Sequence, residues 1–372
     1  MGGAYPSAQL GVQLTGLLEL PERLERLTGA AHDRASRLIE VRLLTGRSDP
    51  PPELEGWLAE TFGSVEAVRQ QTILKVTNPV TLDATIFAPL RARRPVDGIH
   101  GGRDLASEIA ATEGDPFCHP ETGTPAEIAG RIRGRRVVTG ANAAMADAHH
   151  AVIVFDTHDP LAFDAELVSD VLTTGRAWAD RAWEADPEAV NYLLIWNCLW
   201  RAGGSIVHGH AQVLLGSGRH YARIERLRRD AAAYAERHGG DLVEELVAVH
   251  RSVGLAIDLA DGVTLLANLT PTKEREVLVV GTAGMDETDP RFADAVARTL
   301  IAYRDQIGVR SFNLALWRPP LVARTGWETI PPIVHLVDRG DLFQRPSDIG
   351  AMELYATPIV GSDPYELIEA LR

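Results

Sequence analysis

The stretch GGSIVHGHAQVLLG, from Gly203 to Gly216, decides how this sequence is interpreted. Within an apolar run, one residue separates His208 from His210, and Gln212 follows two residues later. Because side chains alternate between the faces of a strand, a strand here would place these three polar groups in one row. Two adjacent imidazoles fit a metal site, a nucleophile with its neighbour, or hydrogen-bonded interior histidines. The surrounding sequence has to decide among these alternatives.

An internal repeat surrounds this stretch and predicts the fold. The first copy reads as a strand (150–163), a helix (164–184), a strand (191–196) and a second strand (205–215). The second copy repeats this order over 275–292, 292–305, 311–317 and 331–341. Overlaying IVHGH on IVHLV pairs His208 with His335 and His210 with Val337. The second copy therefore lacks one histidine, and we expect one complete site per chain, in the first copy.

The repeat divides the chain into three parts. Residues 1–70 read as charged helices with a Pro-rich break, which predicts an N-terminal helical extension. Residues 71–220 form the first half and residues 221–372 a degenerate second half. Each half combines an antiparallel sheet with a helix, so the predicted fold class is α+β.

Composition excludes several classes of function. The 372 residues carry a formal net charge of −14, which argues against a nucleic-acid partner because neutralising phosphates requires clustered Lys and Arg. The two cysteines, Cys118 and Cys198, lie far apart in the sequence, so no disulfide framework is expected and a reducing compartment fits. With no signal-peptide pattern and no 18-residue apolar run, we expect a cytoplasmic protein without a membrane partner.

Two separated motifs carry a family resemblance. The segment WNCLWRAGGSIVHGHAQ resembles the active-site motif of galactose-1-phosphate uridylyltransferase, a member of the histidine-triad superfamily, through Asn197, Gly203, Ser205, His208, His210 and Gln212. The segment NPVTLDATIFAPLRARRP is similar to the N-terminal signature of that family, through Asn78, Pro79, Thr81, Pro89, Arg91, Ala92, Arg94 and Pro95. The resemblance extends from about residue 72 to the C-terminus. It implies two tandem histidine-triad-like halves, and a homodimer with sites built from both chains.

The resemblance also implies a mechanism. In the family, the second histidine of the motif attacks the α-phosphorus of a nucleoside diphosphate sugar, and a second sugar 1-phosphate then takes the nucleotide. This assigns the nucleophile to His210, a suitable group because imidazole is neutral near pH 7 and forms a reactive phosphoramidate. The expected donors to the phosphoryl oxygens are Gln212, Ser205 and Asn197. Arg91 and Arg94 are expected to hold the phosphate that does not react.

A structural zinc is the cofactor that the resemblance implies. Family members bind it through Cys-x-x-Cys, a later histidine and the first histidine of the motif, and the matching positions here are Asp115, Cys118, His158 and His208. An aspartate replaces one cysteine, and carboxylate oxygen is an accepted zinc ligand. The alternative is an inert Cys118 with His158 as an ordinary residue at a strand end. His119 is a reserve ligand, and His149 and His150 are read as residues at the start of a strand.

The substrate-contacting segments depart from the family pattern. Where the family has Asn-Asp-Phe, this chain has Gly140, Ala141 and Asn142, so Asn142 is the expected nucleoside contact and the base need not be uracil. Of the Gly-Tyr-Glu in the hexose-contacting segment, only Glu353 is retained. Glu353 is expected either to bond sugar hydroxyls or to be an ordinary surface carboxylate. The sequence therefore does not identify galactose.

Three hypotheses about function follow. The first is a nucleotidyltransferase whose partners are a nucleotide sugar and a sugar 1-phosphate. The second is a phosphorylase or hydrolase of dinucleoside polyphosphates or nucleotide sugars that uses the same histidine, and the third is a noncatalytic nucleotide-binding relative. Related hydrolases carry a third histidine where this chain has Gln212. Because an amide cannot act as an acid or base, Gln212 favours transfer to a sugar 1-phosphate.

Overall fold

The computed structural model of the protein describes residues 15–93, 104–344 and 347–372. Its strands are β1 (Glu40–Arg47), β2 (Gln70–Thr77), β3 (Ala84–Phe87), β4 (Val137–Ala141), β5 (His149–Phe155), β6 (Ala189–Cys198), β7 (His210–Ser217), β8 (Ala256–Ala260), β9 (Val263–Ala267), β10 (Val277–Val280), β11 (Phe312–Trp317), β12 (Ile333–Asp338) and β13 (Ile359–Val360).

The helices in these ranges are α1 (Thr15–Leu18), α2 (Leu20–Glu25), α3 (Gly29–Leu38), α4 (Pro52–Phe62), α5 (Val65–Arg69), α6 (Pro89–Ala92), α7 (Leu105–Ala110), α8 (Pro120–Gly123), α9 (Ala165–Ala185), α10 (Ala222–His238), α11 (Leu242–Ser252), α12 (Pro290–Asp305), α13 (Ala351–Tyr355) and α14 (Pro364–Ala370). None of the helices in the described ranges is both long and apolar enough to cross a membrane.

A nine-stranded antiparallel sheet unites the two copies of the repeat. Its strand order is β4-β5-β7-β6-β11-β12-β10-β9-β8, so the first copy forms one side and the second copy the other. The copies meet where β6 pairs with β11, in a register that places Asn197 opposite Asn313. The predicted order of strand, helix, strand and strand is present twice, as β5-α9-β6-β7 and β10-α12-β11-β12. The predicted α+β fold of two tandem halves is confirmed.

The main core lies between this sheet and the helices α9 and α12. Apolar residues recur at helical spacing on both helices, and alternate residues of the strands meet them. Trp196 of β6 and Phe312 of β11 are among the largest fully buried side chains. A Cβ at Gly175 of α9 would lie only 2.5 Å from the Tyr192 hydroxyl oxygen, so glycine permits the close approach of α9 to β6.

The opposite face of the sheet carries the polar row. In the register of the sheet, Gln212 of β7 lies between Val152 of β5 and Ile195 of β6, and His210 lies opposite Val154. Residues paired across strands point to the same face, and their neighbours in sequence point to the other. His210 and Gln212 therefore lie on the face of the sheet that is opposite α9. In the second half of the chain, α10 and α11 cover this face.

The N-terminal part differs from the prediction in one respect. Helices α1 to α5 lie there as expected, but β1 also forms, and it pairs with β2 along its whole length. The β1 side chains are mostly exposed, so no alternation of burial marks this strand in the sequence. The four-stranded sheet β1-β2-β3-β13 joins both ends of the chain. A division at residue 70 therefore separates two hydrogen-bonded strands, and the domain boundaries remain predictions.

Candidate active site and metal centre

The position of one proton defines His210 as a potential nucleophile. His210 begins β7 and is 6% exposed, and its Nδ1 lies 2.8 Å from the backbone oxygen of His208. A carbonyl only accepts hydrogen bonds, so Nδ1 carries the proton and Nε2 carries the lone pair. Burial lowers the pKa of His210, which keeps the ring neutral. A neutral imidazole with a free Nε2 lone pair can attack phosphorus.

His208 does not share the strand predicted for it. Residues 206–209 form a bend, and β7 starts only at His210. The bend is held by two backbone hydrogen bonds, from Phe155 to Gly209 and from Gly209 to His158. It turns the ring of His208 toward His158 and Cys118, away from the row of His210 and Gln212.

Four side chains meet at a potential metal centre. The ligand atoms of Asp115, Cys118, His158 and His208 all lie within 4.8 Å of one another. The Sγ of Cys118 is 3.3 Å from Nδ1 of His158 and 3.5 Å from Nδ1 of His208, and the two nitrogens are 3.2 Å apart. A tetrahedral zinc site has edges of about 3.3 Å between nitrogens and about 3.5 Å between nitrogen and sulfur. The separations among Cys118 and the two histidines match that geometry, and the Asp115 oxygens lie farther out, at 4.0 Å from Nδ1 of His158 and 3.9 Å from Nδ1 of His208.

The hydrogen bonds of the two histidines support a cation at this centre. Nε2 of His158 donates to the carbonyl oxygen of Ile109 and Nε2 of His208 to that of Phe155, each at 3.0 Å. Both rings thus present an unprotonated Nδ1 to the centre, where two lone pairs repel unless a cation lies between them. The Oδ2 of Asp115 is also buried without a hydrogen-bond partner. The donor set therefore fits a divalent metal ion.

Phe117 links the potential metal centre to His210. Oδ1 of Asp115 accepts hydrogen bonds from the backbone N–H of Phe117 at 2.8 Å and of Cys118 at 3.3 Å, which forms the short 3-10 helix Pro116–Cys118. This turn packs the Phe117 ring edge-on against the imidazole of His210, with ring centroids 5.0 Å apart. His119, the reserve ligand, is exposed and lies outside the group of ligands.

Gln212 and Asn142 both contact His150. Oε1 of Gln212 lies 2.9 Å from Nε2 of His150, and Nδ2 of Asn142 lies 3.1 Å from the same nitrogen. His150 is near the start of β5, as the sequence predicted, but its role beside Gln212 was missed. The available signal was a histidine within an apolar strand, because a buried imidazole needs hydrogen-bond partners.

Asn197 is oriented by the second half of the chain. Its Oδ1 accepts a hydrogen bond from Nδ2 of Asn313 at 2.6 Å, and Oδ1 of Asn313 accepts one from Arg339. Arg339 in turn forms a two-pronged ion pair with Asp348. The occupied Oδ1 leaves the amide NH₂ as the group that Asn197 can offer to a substrate. Ser205 lies exposed between β6 and β7.

Two other predicted substrate contacts, Arg91 and Glu353, interact electrostatically. Arg91 is exposed on α6, and Glu353 lies on α13, where its Oε2 accepts the backbone N–H of Gly350 at 2.8 Å. Burial alone would raise the pKa of Glu353, but this hydrogen bond and the charges of Lys273 and Arg91 hold it below its usual range. Arg94 lies outside the described residues.

His335 has different surroundings from His208. It lies within β12 opposite Ala315, its Nδ1 is 3.1 Å from Oε1 of Glu276, and its ring centroid is 4.0 Å from that of Trp317. In residues 15–93, 104–344 and 347–372, the group around Cys118 is the only set of three or more potential metal ligands.

Comparisons with known proteins agree with this architecture. No protein-family model and no curated protein sequence matches the chain. An ADP-glucose phosphorylase from Arabidopsis thaliana, solved with bound ADP-glucose, matches with a TM-score of 0.59 and 15% identity over 80% of this chain and 97% of that chain. A GalT-like protein from Arabidopsis thaliana has the same TM-score and coverage at 16% identity.

A uridylyltransferase structure gives a TM-score of 0.54 at 16% identity, over 79% of this chain and 96% of that chain. At such identities the shared property is the fold. The chain therefore shares the fold of the ADP-glucose phosphorylase, the GalT-like protein and the uridylyltransferase, which agrees with the prediction from its two sequence motifs.

Proposed function

We propose that this protein is a nucleotidyltransferase that moves a nucleoside monophosphate between a nucleoside diphosphate sugar and a sugar 1-phosphate. The observation that carries the proposal is the state of His210, a buried neutral imidazole whose Nδ1–H is bound by the backbone oxygen of His208. That arrangement leaves Nε2 as the nucleophile and stabilises the positive charge that the ring gains when Nε2 forms a bond.

The reaction proceeds in two displacements. In the first, Nε2 of His210 bonds to the α-phosphorus, the bond to the bridging oxygen breaks, and its electron pair leaves with the sugar 1-phosphate. In the second, a phosphate oxygen of another sugar 1-phosphate attacks the same phosphorus and returns the electron pair to Nε2. The donors to the phosphoryl oxygens are the amides of Gln212 and Asn197 and the hydroxyl of Ser205.

The remaining predicted contacts position the substrate. Arg91 and Arg94 hold the phosphate that does not react, as guanidinium geometry favours. Asn142 contacts the nucleoside, and Glu353 accepts hydrogen bonds from the sugar through Oε1, because its Oε2 is used by Gly350. The proposal includes a homodimer, as the family resemblance implies.

Asp115, Cys118, His158 and His208 are proposed to hold zinc, which supplies a structural crosslink when bound. Through these residues, the chain fixes two groups that contact the nucleophile. They are the backbone oxygen of His208, which binds Nδ1–H of His210, and the ring of Phe117.

A second candidate is a phosphorylase of nucleotide sugars or dinucleoside polyphosphates. It is favoured by the similarity of fold to the ADP-glucose phosphorylase solved with ADP-glucose. The first displacement would be the same, and inorganic phosphate would take the nucleotide from His210. Hydrolysis is less favoured, because the amide of Gln212 cannot supply a proton to a leaving group.

The test is intact-protein mass spectrometry after incubation with ADP-glucose, UDP-glucose and other nucleoside diphosphate sugars. Wild-type protein is expected to gain the mass of one nucleoside monophosphate, in an acid-labile form. His210→Ala is expected to gain none, whereas the control His335→Gln should behave as wild type. Discharge of the adduct by sugar 1-phosphate or by phosphate separates the two candidates. Absence of an adduct from every donor, or an adduct that persists in His210→Ala, would contradict both.

A further inference from the structure

The contact between His150 and Gln212 joins two neighbouring strands. In the register of β5 and β7, His150 lies opposite Leu214, two residues beyond Gln212, and Gln212 lies opposite Val152. Both side chains therefore occupy the same face of the sheet as His210. His150 is 6% exposed, so its ring is removed from water and both of its nitrogens require partners within the protein.

A backbone N–H that donates to one nitrogen of His150 shows that the proton of the ring lies on the other nitrogen. The backbone N–H of Ala146 points to Nδ1 of His150 at 3.0 Å. A backbone N–H cannot exchange donor and acceptor roles, so Nδ1 carries a lone pair and the one proton of the neutral ring lies on Nε2. Burial lowers the pKa of His150, which disfavours a second proton on Nδ1.

Only one of the two neighbouring side chains can accept a hydrogen bond from the Nε2–H of His150. Oδ1 of Asn142 is already bound by the backbone N–H of Ala144 at 2.9 Å, so Asn142 turns its NH₂ toward His150 and cannot accept. Oε1 of Gln212, at 2.9 Å, is the acceptor.

The orientation of the Gln212 amide matters because phosphoryl oxygens only accept hydrogen bonds. A free glutamine can present either its oxygen or its NH₂, and the wrong choice would oppose the negative charge of the phosphoryl group. With Oε1 held by His150, the NH₂ remains for the substrate.

We propose that His150 is a positioning residue that fixes the amide of Gln212 with its NH₂ directed to the phosphoryl group undergoing transfer. The inference rests on the proposed function, in which that group is attached to His210. His150 itself does not contact the reacting atoms.

The test measures the single-turnover rate of adduct formation at saturating nucleotide sugar. His150→Leu removes the donor to Gln212 and is expected to slow the step by about 10- to 100-fold, up to the loss seen when one donor to a developing charge is removed. His150→Gln retains an N–H near the position of Nε2 and should recover most of the rate. The control His149→Leu changes the adjacent histidine, which binds Asp186 instead, and should keep the wild-type rate.

A double-mutant cycle separates positioning from general damage to the structure. If His150 acts through Gln212, adding His150→Leu to Gln212→Ala should lower the rate by less than about twofold. Losses that multiply in the double variant would overturn the inference. If His150→Leu does not fold, the same cycle is measured with His150→Gln, for which a smaller loss of rate is expected.

A spectroscopic measurement keeps this inference separate from the proposed function. In protein with ¹⁵N-labelled histidine, the His150 signal, identified by its loss in His150→Gln, should show the proton on Nε2. A proton on Nδ1 would overturn the inference whatever the activity. A wild-type protein that forms no adduct would instead overturn the proposed function.

Discussion

Loss of the metal ion proposed to bind at Cys118 is expected to destabilise the folded protein, and the size of the effect follows from the lengths of chain between the proposed ligands. The ligands join three segments: 40 residues separate Cys118 from His158, and 50 separate His158 from His208. Closing loops of this length by a crosslink is worth about 4 kcal/mol each in the chain-entropy treatment used for disulfides. The ceiling for the two loops is therefore about 8 kcal/mol.

The expected loss is smaller, because an ion at about 1,000 times its dissociation constant contributes about 4 kcal/mol. Unfolding has an entropy of about 2.1 cal/mol/K per residue, or about 780 cal/mol/K for a chain of 372 residues unfolding as one unit. A loss of about 4 kcal/mol therefore lowers Tm by about 5 °C. Both Cys118→Ser and treatment of wild-type protein with a chelator should produce this shift.

The assay combines metal analysis by mass spectrometry with thermal unfolding followed by circular dichroism. Wild-type protein should contain one zinc per chain, and Cys118→Ser should contain little and show no further shift with chelator. His119→Ala is the matched control, because His119 adjoins Cys118 but is exposed and outside the ligand group. A Cys118→Ser protein with wild-type metal content and Tm would refute the assignment of the ligands.

Three further predictions concern other parts of the chain. Burial lowers the pKa of His250 to about 4, so the unfolded chain, in which this pKa is near 6.5, binds the proton more readily. The free energy of unfolding should therefore fall as pH drops from about 6.5 to about 4, by about 2 kcal/mol at pH 5. Urea unfolding of His250→Gln should show a weaker dependence of this free energy on pH, and an equal dependence in both proteins would contradict the prediction. Gly209→Ala would place a Cβ 2.6 Å from the Phe155 ring. We therefore expect the free energy of unfolding, measured in urea, to fall by about 1–3 kcal/mol and adduct formation to slow. Wild-type values for both would be inconsistent with the packing of the bend. Asn313→Ala removes the donor to Asn197 and should slow adduct formation by about tenfold without lowering Tm by more than a few degrees, whereas an unchanged rate would show that Asn197 needs no such support.

Much of the fold could be predicted because its signals are local. The order of strand, helix, strand and strand follows from apolar periodicity, and the structure contains it twice. The strand β1 was missed because its side chains are mostly exposed and only its pairing with β2 makes it a strand. The position of His208 was also predicted incorrectly, because the bend before β7 depends on backbone hydrogen bonds to residues 155 and 158.

The candidate site, like the fold, has features that the sequence predicts and features that only the tertiary structure shows. The family resemblance implied Asp115, Cys118, His158 and His208 as candidate metal ligands, and the structure brings these four side chains together. The partnership of His150 with Gln212 could not be predicted, because 62 residues separate them and only the pairing of β5 with β7 makes them neighbours. The support of Asn197 by Asn313 likewise depends on the joining of the two halves.

The sequence by itself determined which residue types alternate along each strand, which face of each helix is apolar, and which side chains carry chemistry at a fixed spacing. These are properties of neighbouring residues in one chain segment. The tertiary structure alone decided where the protons of His150, His158, His208 and His210 lie, because each tautomer is set by a backbone or side-chain group that the fold brings to the ring. A nitrogen is a nucleophile, a ligand or a donor only after that partner has fixed its proton.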